Sequence, residues 1–213
     1  MSDVIEDTEM GHLLATFFAM SEKVNEREIV LTHKAHHDEL TGLKNRITMS
    51  SEIQDSINEI QKTGGKIAVL FLDLYDFKGV NDSHGHDVGD LVLKETANRI
   101  SSSVRSSDTV FRIGGDEFLV LARNIVNISD VHSLVDNIVN AFDEPAIIEG
   151  EPMDISISIG VAIAPDNANN SSELVEFSDV AMYAAKREKD AISQMFDTGM
   201  LRRTTDISKY FDK

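Results

Sequence analysis

The sequence predicts an α+β domain, because strand-like apolar runs and helical segments alternate irregularly and one tight glycine turn requires antiparallel strands. The turn is Gly114-Gly115, which lies between the apolar runs Thr109–Ile113 and Phe118–Ala122. Glycine tolerates the positive φ of a hairpin turn, so we expect a β-hairpin at this position. A further run, Lys66–Leu74, is almost continuously apolar and has the length of a buried strand.

The remaining elements follow from hydrophobic periodicity and from the positions of turn residues. Asp38–Arg46 contains a glycine and predicts a turn that leads into a helix. Helices are predicted at about Ile47–Lys62, Val88–Val104, Asp130–Asp143 and Ser172–Lys189. The alternating segment Met153–Ile159 predicts a half-buried strand, and Ile192–Phe196 is a candidate for a last strand.

Residues 1–36 predict a separate helical segment in front of this domain. Its apolar side chains fall at 4-3-4-7 spacing, interrupted by Arg27: Leu13, Phe17, Met20, Val24 and Leu31. Such a stripe fits a helix packed on its own domain and fits a dimerising stalk equally well. His33, His36 and His37 lack cysteine partners and a fourth ligand, so they indicate a solvated helix end rather than a zinc site. We place the main domain at residues 37–198 and a C-terminal tail or connector at residues 199–213.

Length and composition exclude several classes of protein. With 213 residues, 41% of them hydrophobic, the chain suits one domain with a substantial core plus flanking segments. The net charge of −17 argues against nucleic acid and against an anionic membrane as partners. Cysteine is absent, which excludes disulfides and thiolate sites and suggests a reducing cytoplasm. No signal-peptide pattern opens the chain and no apolar run approaches about 18 residues, so we expect no membrane span.

Two acidic positions suggest a metal site. Asp116 and Glu117 directly follow the glycine turn, and Asp73 lies at the end of the buried strand. Mg²⁺ is commonly held by one or two carboxylates together with substrate phosphates, which Asp73 and Asp116 would provide if their strands are neighbours. Taken separately, each position has an ordinary alternative: a solvated charged turn for the first and a helix cap for the second.

Several ordered motifs are similar to those of one known family. They are Asp38–Arg46, Asp73–Lys78, Asn81-Asp82, Gly85-His86 with Gly89-Asp90, Gly114–Phe118, Ser158–Ala162 and Ala181–Lys186. From about Asp38 to Phe196 the chain resembles the GGDEF-domain diguanylate cyclases, which condense two GTP into cyclic di-GMP and release pyrophosphate. The resemblance implies a palm-like, mostly antiparallel central sheet flanked by helices, with an N-terminal helical stalk.

The resemblance also implies catalytic and metal-binding roles. A Mg²⁺ (or Mn²⁺) ion would be held by the carboxylates of Asp73 and Asp116 and by the carbonyl of Leu74. Asp116 matches the family's proton acceptor, and its neighbour Glu117 is a catalytic candidate with a less defined role. Lys78 would stabilise the charge that develops on the phosphate. The reaction, attack by the 3′-hydroxyl of one GTP on the α-phosphorus of the other, depends mainly on positioning and charge neutralisation.

Substrate binding is assigned in the same way. Asn81 and Asp90 match the guanine-binding positions of the family, and a carboxylate can accept from both N1–H and the N2 amino group of guanine. Adenine offers no such pair of donors, so Asp90 would discriminate against ATP. Phe77 is placed in the same substrate site. His86 either contacts the nucleotide or is a structural histidine, and Lys186 matches a phosphate ligand.

Arg105 and Asp108 match the family's inhibitory Arg-x-x-Asp pattern, where the product binds and slows the enzyme. The planar fork of arginine suits the O6/N7 edge of guanine, which gives the match a physical basis. The alternative is a local ion pair between the two side chains.

Two departures from the family pattern affect substrate binding. Tyr75 stands where the family often carries a second acid, but Asp73 is kept. Asp190 stands where an arginine usually helps to hold the triphosphate, with Lys189 and Ala191 on either side. We expect weaker GTP binding unless Arg187 or Lys189 takes over this role.

The expected partners are GTP, cyclic di-GMP and, at least transiently, a second copy of the chain, since one domain supplies only half of a site for two facing GTP molecules. One alternative is a weakly active or silent domain that binds GTP or cyclic di-GMP and regulates a partner. Another is that the chain forms the front part of a longer protein, because Met200–Arg203 resembles the connector that often leads into a phosphodiesterase domain.

Overall fold

The computed structural model describes residues 14, 16–24, 27, 34–188 and 192–204. The chain divides into two units, residues 1–37 and residues 38–213. In the first unit the described residues between 14 and 27 are helical, and the following large apolar side chains are exposed: Leu14, Phe17, Phe18, Met20 and Val24. Leu13, Leu31 and His33 of the predicted stripe and histidine cluster lie outside the described residues. None of the helices in the described ranges combines the length and apolarity needed to cross a membrane.

The second unit contains a central sheet, a small second sheet and flanking helices. The strands of the central sheet are β1 (Lys44–Asn45), β2 (Lys66–Leu74), β3 (Thr109–Gly114), β4 (Glu117–Ile125), β7 (Ile157–Ala164) and β8 (Ser193–Met195). The small sheet consists of β5 (Ala146–Ile148) and β6 (Glu151–Met153). The described helices are α1 (Arg46–Thr63), α2 (Phe77–His84), α3 (His86–Ser103), α4 (Ile128–Asn140), α5 (Ser171–Arg187) and α6 (Thr198–Thr204).

The central sheet has the strand order β1-β3-β4-β2-β7-β8. β2 lies in the middle and pairs antiparallel with both β4 and β7. β3 pairs antiparallel with β4, which forms the predicted hairpin. At the edges, β1 pairs parallel with β3 and β8 pairs parallel with β7. The sheet is therefore mixed, antiparallel in its centre and flanked by helices, which confirms the predicted α+β fold.

The side chains of β2 are divided between two cores, because successive residues of a strand point to opposite faces. Leu70 and Leu72 belong to the core that α3 and α4 cover, whereas Val69 and Phe71 belong to the core that α1 and α5 cover. By the same alternation, Asp73 points to the α1/α5 face of the sheet. The strand thus directs its one acidic side chain toward α5.

Gly160 of β7 allows α5 to approach this face closely. A Cβ atom at this position would lie 1.9 Å from the Met182 amide nitrogen and 2.1 Å from the Ser178 carbonyl oxygen. The next residues of β7 in the same core, Ala162 and Ala164, are also small and fully buried. The small residues of β7 therefore determine how closely the helix that carries Lys186 packs on the sheet.

The strand predicted at Met153–Ile159 begins too early, since β7 spans Ile157–Ala164. The reason lies in its partner strand. β2 ends at Leu74, and Tyr75 then donates its backbone N–H to the Ser156 carbonyl at 2.8 Å as the chain turns away. The residues just before β7 therefore have no strand beside them and stay outside the sheet.

No helix is predicted between the Asp73 strand and Val88, yet α2 lies there. The chain reaches α2 through Asp76, whose backbone is left-handed (φ 54°, ψ 33°) and whose side chain makes no capping hydrogen bond. A helix of 8 residues without a cap or a fully buried side chain gives little periodic signal. The other predicted helices begin and end within three residues of the bounds observed.

Candidate functional site

The two acidic positions meet at one end of the central sheet. The Leu74 N–H donates to the Asp116 carbonyl at 3.4 Å. Asp73 lies opposite Glu117 in the β2–β4 register and opposite Ser158 in the β2–β7 register. The Asp73 strand and the hairpin are therefore neighbours, as the metal hypothesis requires.

Asp73 is paired with a lysine from α5. The Lys186 Nζ lies 2.5 Å from Asp73 Oδ1. Burial raises the pKa of the Asp73 carboxyl, the hydrogen bond and charge of Lys186 lower it, and the nearby charge of Asp116 raises it. The net direction is upward, because the effect of burial outweighs that of the lysine.

Glu117 and Asp179 extend the acidic region toward α5. Burial raises the pKa of Glu117, and the charges of Asp179, Asp73 and Asp116 raise it further. Burial also raises the pKa of Asp179, again reinforced by the charge of Asp73. Repulsion among these carboxylates makes this end of the sheet a place where an added cation would be stabilising.

Asp179 was not among the site residues predicted from the sequence. Its signal was the spacing to Lys186, since a separation of seven residues is two helical turns and puts both side chains on one face of α5. The contact between Lys186 and Asp73 was not predicted either, because it joins residues that are far apart in sequence.

A cleft of about 490 Å³ opens between α1 and α5 beside Glu117. Its charged lining residues are Arg46, Glu117, Glu176 and Asp179, and its apolar ones are Met49, Phe71, Ile113 and Val175. Glu117 lines this cleft as the first residue of β4, whereas Asp116 lies in the hairpin turn. The two adjacent acids of the hairpin therefore occupy different surroundings.

The donor atoms at this end of the sheet suit a hard divalent ion. Asp73, Leu74 and Asp116 offer carboxylate and carbonyl oxygens, which are the ligands that Mg²⁺ and Mn²⁺ prefer. Among the residues that the structure describes, no three acids or histidines are arranged to hold a metal ion by themselves.

The predicted guanine-binding residues lie on the successive helices α2 and α3. Asn81 lies on α2 and Asp90 lies on α3. The Asn81 side chain packs on Gly89, where a Cβ atom would lie 2.0 Å from Asn81 Oδ1. A side chain at Gly89 would therefore clash with Asn81, and the next residue, Asp90, is exposed.

The other predicted nucleotide ligands differ in burial. Phe77 packs against the core beneath α3, so its ring supports the site from below. Lys78 in the first turn of α2 and His86 at the start of α3 are both exposed. His86 lies one helical turn before Asp90, so the two side chains share a face of α3.

The predicted inhibitory residues form a closed turn before β3. Asp108 accepts the backbone N–H groups of Arg105 and Arg123, each at 3.1 Å, and the Ser107 hydroxyl also at 3.1 Å. In the described part of the chain, these donors hold the Asp108 carboxylate and it makes no ion pair with Arg105. The Arg105 side chain is exposed at the end of β3 away from the hairpin turn.

Of the two positions that depart from the family pattern, Tyr75 lies within the described residues and Asp190 does not. Tyr75 follows β2 directly and is 62% exposed. Lys186 and Arg187 form the last turn of α5. Lys189, Asp190 and Ala191 lie outside the described residues.

Comparison with known proteins agrees with this geometry. The family model described as "Diguanylate cyclase, GGDEF domain" matches residues 35–191. The diguanylate cyclase TpbB of Pseudomonas aeruginosa is 36% identical over 167 residues, which is 78% of this chain and 38% of TpbB. This chain thus spans well under half the length of that relative.

Two solved structures share the fold. One is a truncated TpbB that comprises only the GGDEF domain, with a TM-score of 0.77 and 34% identity over 80% of this chain and 99% of that one. The other is the coiled coil and GGDEF domain of DgcB from Caulobacter crescentus in complex with c-di-GMP. It has a TM-score of 0.77 and 26% identity over 88% of this chain and 98% of that one.

Proposed function

This chain belongs to the GGDEF domain family of diguanylate cyclases, and on that premise we propose that it condenses two GTP into cyclic di-GMP with release of pyrophosphate. The observation that carries the proposal is the backbone hydrogen bond from Leu74 to the Asp116 carbonyl. This bond brings the Asp73 motif and the hairpin acids to the same end of the sheet. Lys186 adds a positive charge there, which suits a triphosphate.

Guanine recognition would fall to Asp90 and Asn81. The Asp90 carboxylate accepts from N1–H and from the N2 amino group, and Asn81, packed on Gly89, offers an amide to the remaining edge of the base. The ring of Phe77 supports both helices from the core side. The base would therefore be held between α2 and α3 while the phosphates point toward the end of β2.

Asp73, the carbonyl of Leu74 and Asp116 would hold a Mg²⁺ or Mn²⁺ ion, which neutralises phosphate charge and lowers the pKa of the attacking hydroxyl when bound. Lys186 would bind the triphosphate, and Lys78 would stabilise the charge that develops on the α-phosphate. Asp116 would accept the proton of the 3′-hydroxyl as the new bond to phosphorus forms and pyrophosphate leaves. Glu117 points toward the cleft at α5, so we assign it a supporting negative charge rather than proton transfer.

The active form would be a two-fold symmetric dimer, because each bound GTP needs a second GTP facing it. The exposed apolar side chains of the N-terminal helical segment support a role as a dimerising stalk. A truncation that begins at Asp38 tests this role. It should be mostly monomeric and turn over slowly, and a truncation that dimerises and turns over like the full chain contradicts it.

Product inhibition would act through Arg105. Its guanidinium is exposed while Asp108 keeps the turn closed. Arg105→Ala should retain turnover when cyclic di-GMP is added, whereas the wild type should slow. Because GTP is a cytoplasmic substrate, we place the reaction in the cytoplasm.

The second candidate function is a silent domain that binds GTP or cyclic di-GMP and regulates a partner. Asp190 in place of the usual arginine favours it, while Asp73, Lys78, Asp116 and Glu117 argue against it. Mixing the chain with GTP and Mg²⁺ and measuring pyrophosphate and cyclic di-GMP separates the two.

We expect both products in that assay, and a loss of at least about a hundredfold in Asp116→Asn, because general-base steps contribute roughly this much. Asp136→Asn is the control, since Asp136 is an exposed acid on α4, and α4 covers the face of the sheet opposite to Asp73. GTP binding without any product in the wild type would contradict the cyclase proposal and support the silent domain.

A further inference from the structure

We propose that Lys186 takes the place of the metal ion in the nucleotide-free protein, where its ammonium group pairs with the Asp73 carboxylate. A divalent ion then binds tightly only together with a triphosphate, whose oxygens bind the lysine instead. The inference rests on the proposed function, because it needs Asp73 as a metal ligand. It goes further because it assigns Lys186 two successive hydrogen-bond acceptors, the Asp73 carboxylate before the nucleotide binds and a phosphate oxygen afterwards.

The first support is the contact itself. The Lys186 Nζ donates a charge-assisted hydrogen bond to Asp73 Oδ1 at 2.5 Å. The Asp73 side chain is 13% exposed and the Lys186 side chain is 33% exposed. The carboxylate is thus largely shielded from water, and a metal ion arriving alone must share or displace its ammonium partner.

The second support is the surroundings of the pair. The residues opposite Asp73 in the two neighbouring strands are Glu117 and Ser158, and neither offers a positive charge. Within the described residues, Lys186 is the one cationic side chain that contacts Asp73. Asp73 and Glu117 repel each other, so the lysine stays in place until another cation replaces it.

The third support is the place of Lys186 in α5. It lies in the last turn of the helix, while the preceding Ala185 and the earlier Met182 are buried and hold the helix on the sheet. The lysine side chain can therefore swing from Asp73 to a phosphate without any movement of the helix. Triphosphate oxygens are strong acceptors for an ammonium group, and the ion that accompanies them supplies the charge that Asp73 loses.

Removing the lysine should therefore affect the two ligands in opposite directions. Without the ammonium group, Asp73 is open to a metal ion that arrives alone. The triphosphate, in contrast, loses one of its contacts. A lysine that served only as a phosphate ligand would change nucleotide binding and leave metal binding in the absence of nucleotide unchanged.

The test measures Mn²⁺ binding without nucleotide by electron paramagnetic resonance, using the full chain. We expect Lys186→Gln and Lys186→Met to bind Mn²⁺ roughly two- to fivefold more tightly than the wild type, the range set by loss of one competing, partly exposed ion pair. Lys66→Gln is the matched control, because it removes another lysine–aspartate pair of 2.5 Å, with Asp166, at the opposite end of β2. It should bind Mn²⁺ like the wild type.

A second measurement uses 3′-deoxy-GTP, which lacks the attacking hydroxyl. With this nucleotide and Mg²⁺ we expect Lys186→Gln to bind severalfold more weakly than the wild type. Equal or weaker Mn²⁺ binding by both Lys186 variants, with circular dichroism unchanged, overturns the inference. Asp73→Asn separates the two claims: if it binds Mn²⁺ as well as the wild type does, the ion lies elsewhere and the metal site of the proposed function fails as well.

Discussion

The guanidinium of Arg112 ties the hairpin turn to Asp38. Its Nη1 lies 2.9 Å from Asp38 Oδ1, while Nε and Nη2 donate to the Gly115 carbonyl at 3.2 and 2.8 Å. The same Asp38 oxygen accepts the amide and hydroxyl of Thr41 at 2.9 and 2.7 Å. Burial acts to raise the pKa of Asp38, but these hydrogen bonds and the charge of Arg112 lower it overall. The start of the folded domain thus braces the turn that contains Asp116.

Arg112→Met should lower the free energy of unfolding by about 1–3 kcal/mol, because Asp38 is left partly buried without its charged partner. It should also reduce turnover, since the hairpin turn loses the hydrogen bonds that Arg112 donates to the Gly115 carbonyl. A lowered carboxyl pKa stabilises the fold at pH values above the ordinary value of 3.8, and this contribution is lost as the pH falls through the folded-state pKa. Urea denaturation at neutral and at acid pH measures the difference.

The difference between wild type and Arg112→Met should therefore narrow toward low pH. Arg112→Lys is the control that keeps the charge but not the fork that reaches both Asp38 and Gly115. Equal stability of Arg112→Met and wild type at neutral pH would show that the contacts of Arg112 with Asp38 and Gly115 do not stabilise the fold.

Gly160→Ala should destabilise the protein by roughly 3 kcal/mol or more, because the added Cβ would meet backbone atoms of Met182 and Ser178 that cannot move without shifting α5. It should also weaken Mg-GTP binding, since α5 carries Lys186. Gly199→Ala is the control, because the atom nearest its added Cβ is the flexible Asp197 carboxylate. Thermal denaturation compares the two, and a Gly160→Ala protein as stable as wild type would mean that α5 packs differently.

Asp179→Asn should stabilise the metal-free protein at neutral pH by about 0.5–1 kcal/mol, because it removes a half-buried charge that also repels the neighbouring carboxylates. The sign follows from the raised pKa of Asp179. A carboxyl whose pKa is higher in the folded state costs stability above that pKa, and the cost disappears below the ordinary value of 3.8. The gain measured by urea denaturation in EDTA should therefore shrink as the pH is lowered from 7.5 toward 4. A gain that is constant over this range would contradict the charge explanation.

Asp90→Ala should weaken the discrimination between GTP and ATP, because the variant no longer places an acceptor at N1–H and N2. The expected loss is on the order of tenfold in the ratio of the two affinities, which corresponds to one unmade hydrogen bond of about 1–3 kcal/mol. Competition binding with both nucleotides measures it. His86→Ala, one turn away on the same helix face, is the comparison. An unchanged preference for GTP in Asp90→Ala would refute the assignment.

Much of the fold was predictable because local signals agreed with the tertiary structure. The nearly continuous apolar run at Lys66–Leu74 matches a strand that is buried on both faces, and the hairpin turn, Gly115-Asp116, lies one residue later than the predicted Gly114-Gly115. The start of β7 was predicted wrongly, because the alternation of apolar and polar residues before it does not show where the neighbouring strand β2 ends. The short helix α2 was missed for lack of a cap and of an apolar stripe.

The site was predictable only as a set of separate motifs. Asp73 and Asp116 were found by their residue type and position, and Leu74 by resemblance. The pairing of Lys186 with Asp73, and the presence of Asp179 beside Glu117, depend on how closely α5 packs on β7. That distance is determined by Gly160, which the family motif Ser158–Ala162 contains without showing how closely a helix approaches it.

The central claim is that Asp73 and Asp116 hold one divalent ion against a bound guanosine triphosphate. A crystal structure with Mn²⁺ and 3′-deoxy-GTP, read at the anomalous signal of manganese, tests it directly. We predict a manganese peak coordinated by carboxylate oxygens of residues 73 and 116 and by phosphate oxygens, with the base between α2 and α3. A peak that contacts neither carboxylate, or a nucleotide bound elsewhere, would contradict the account.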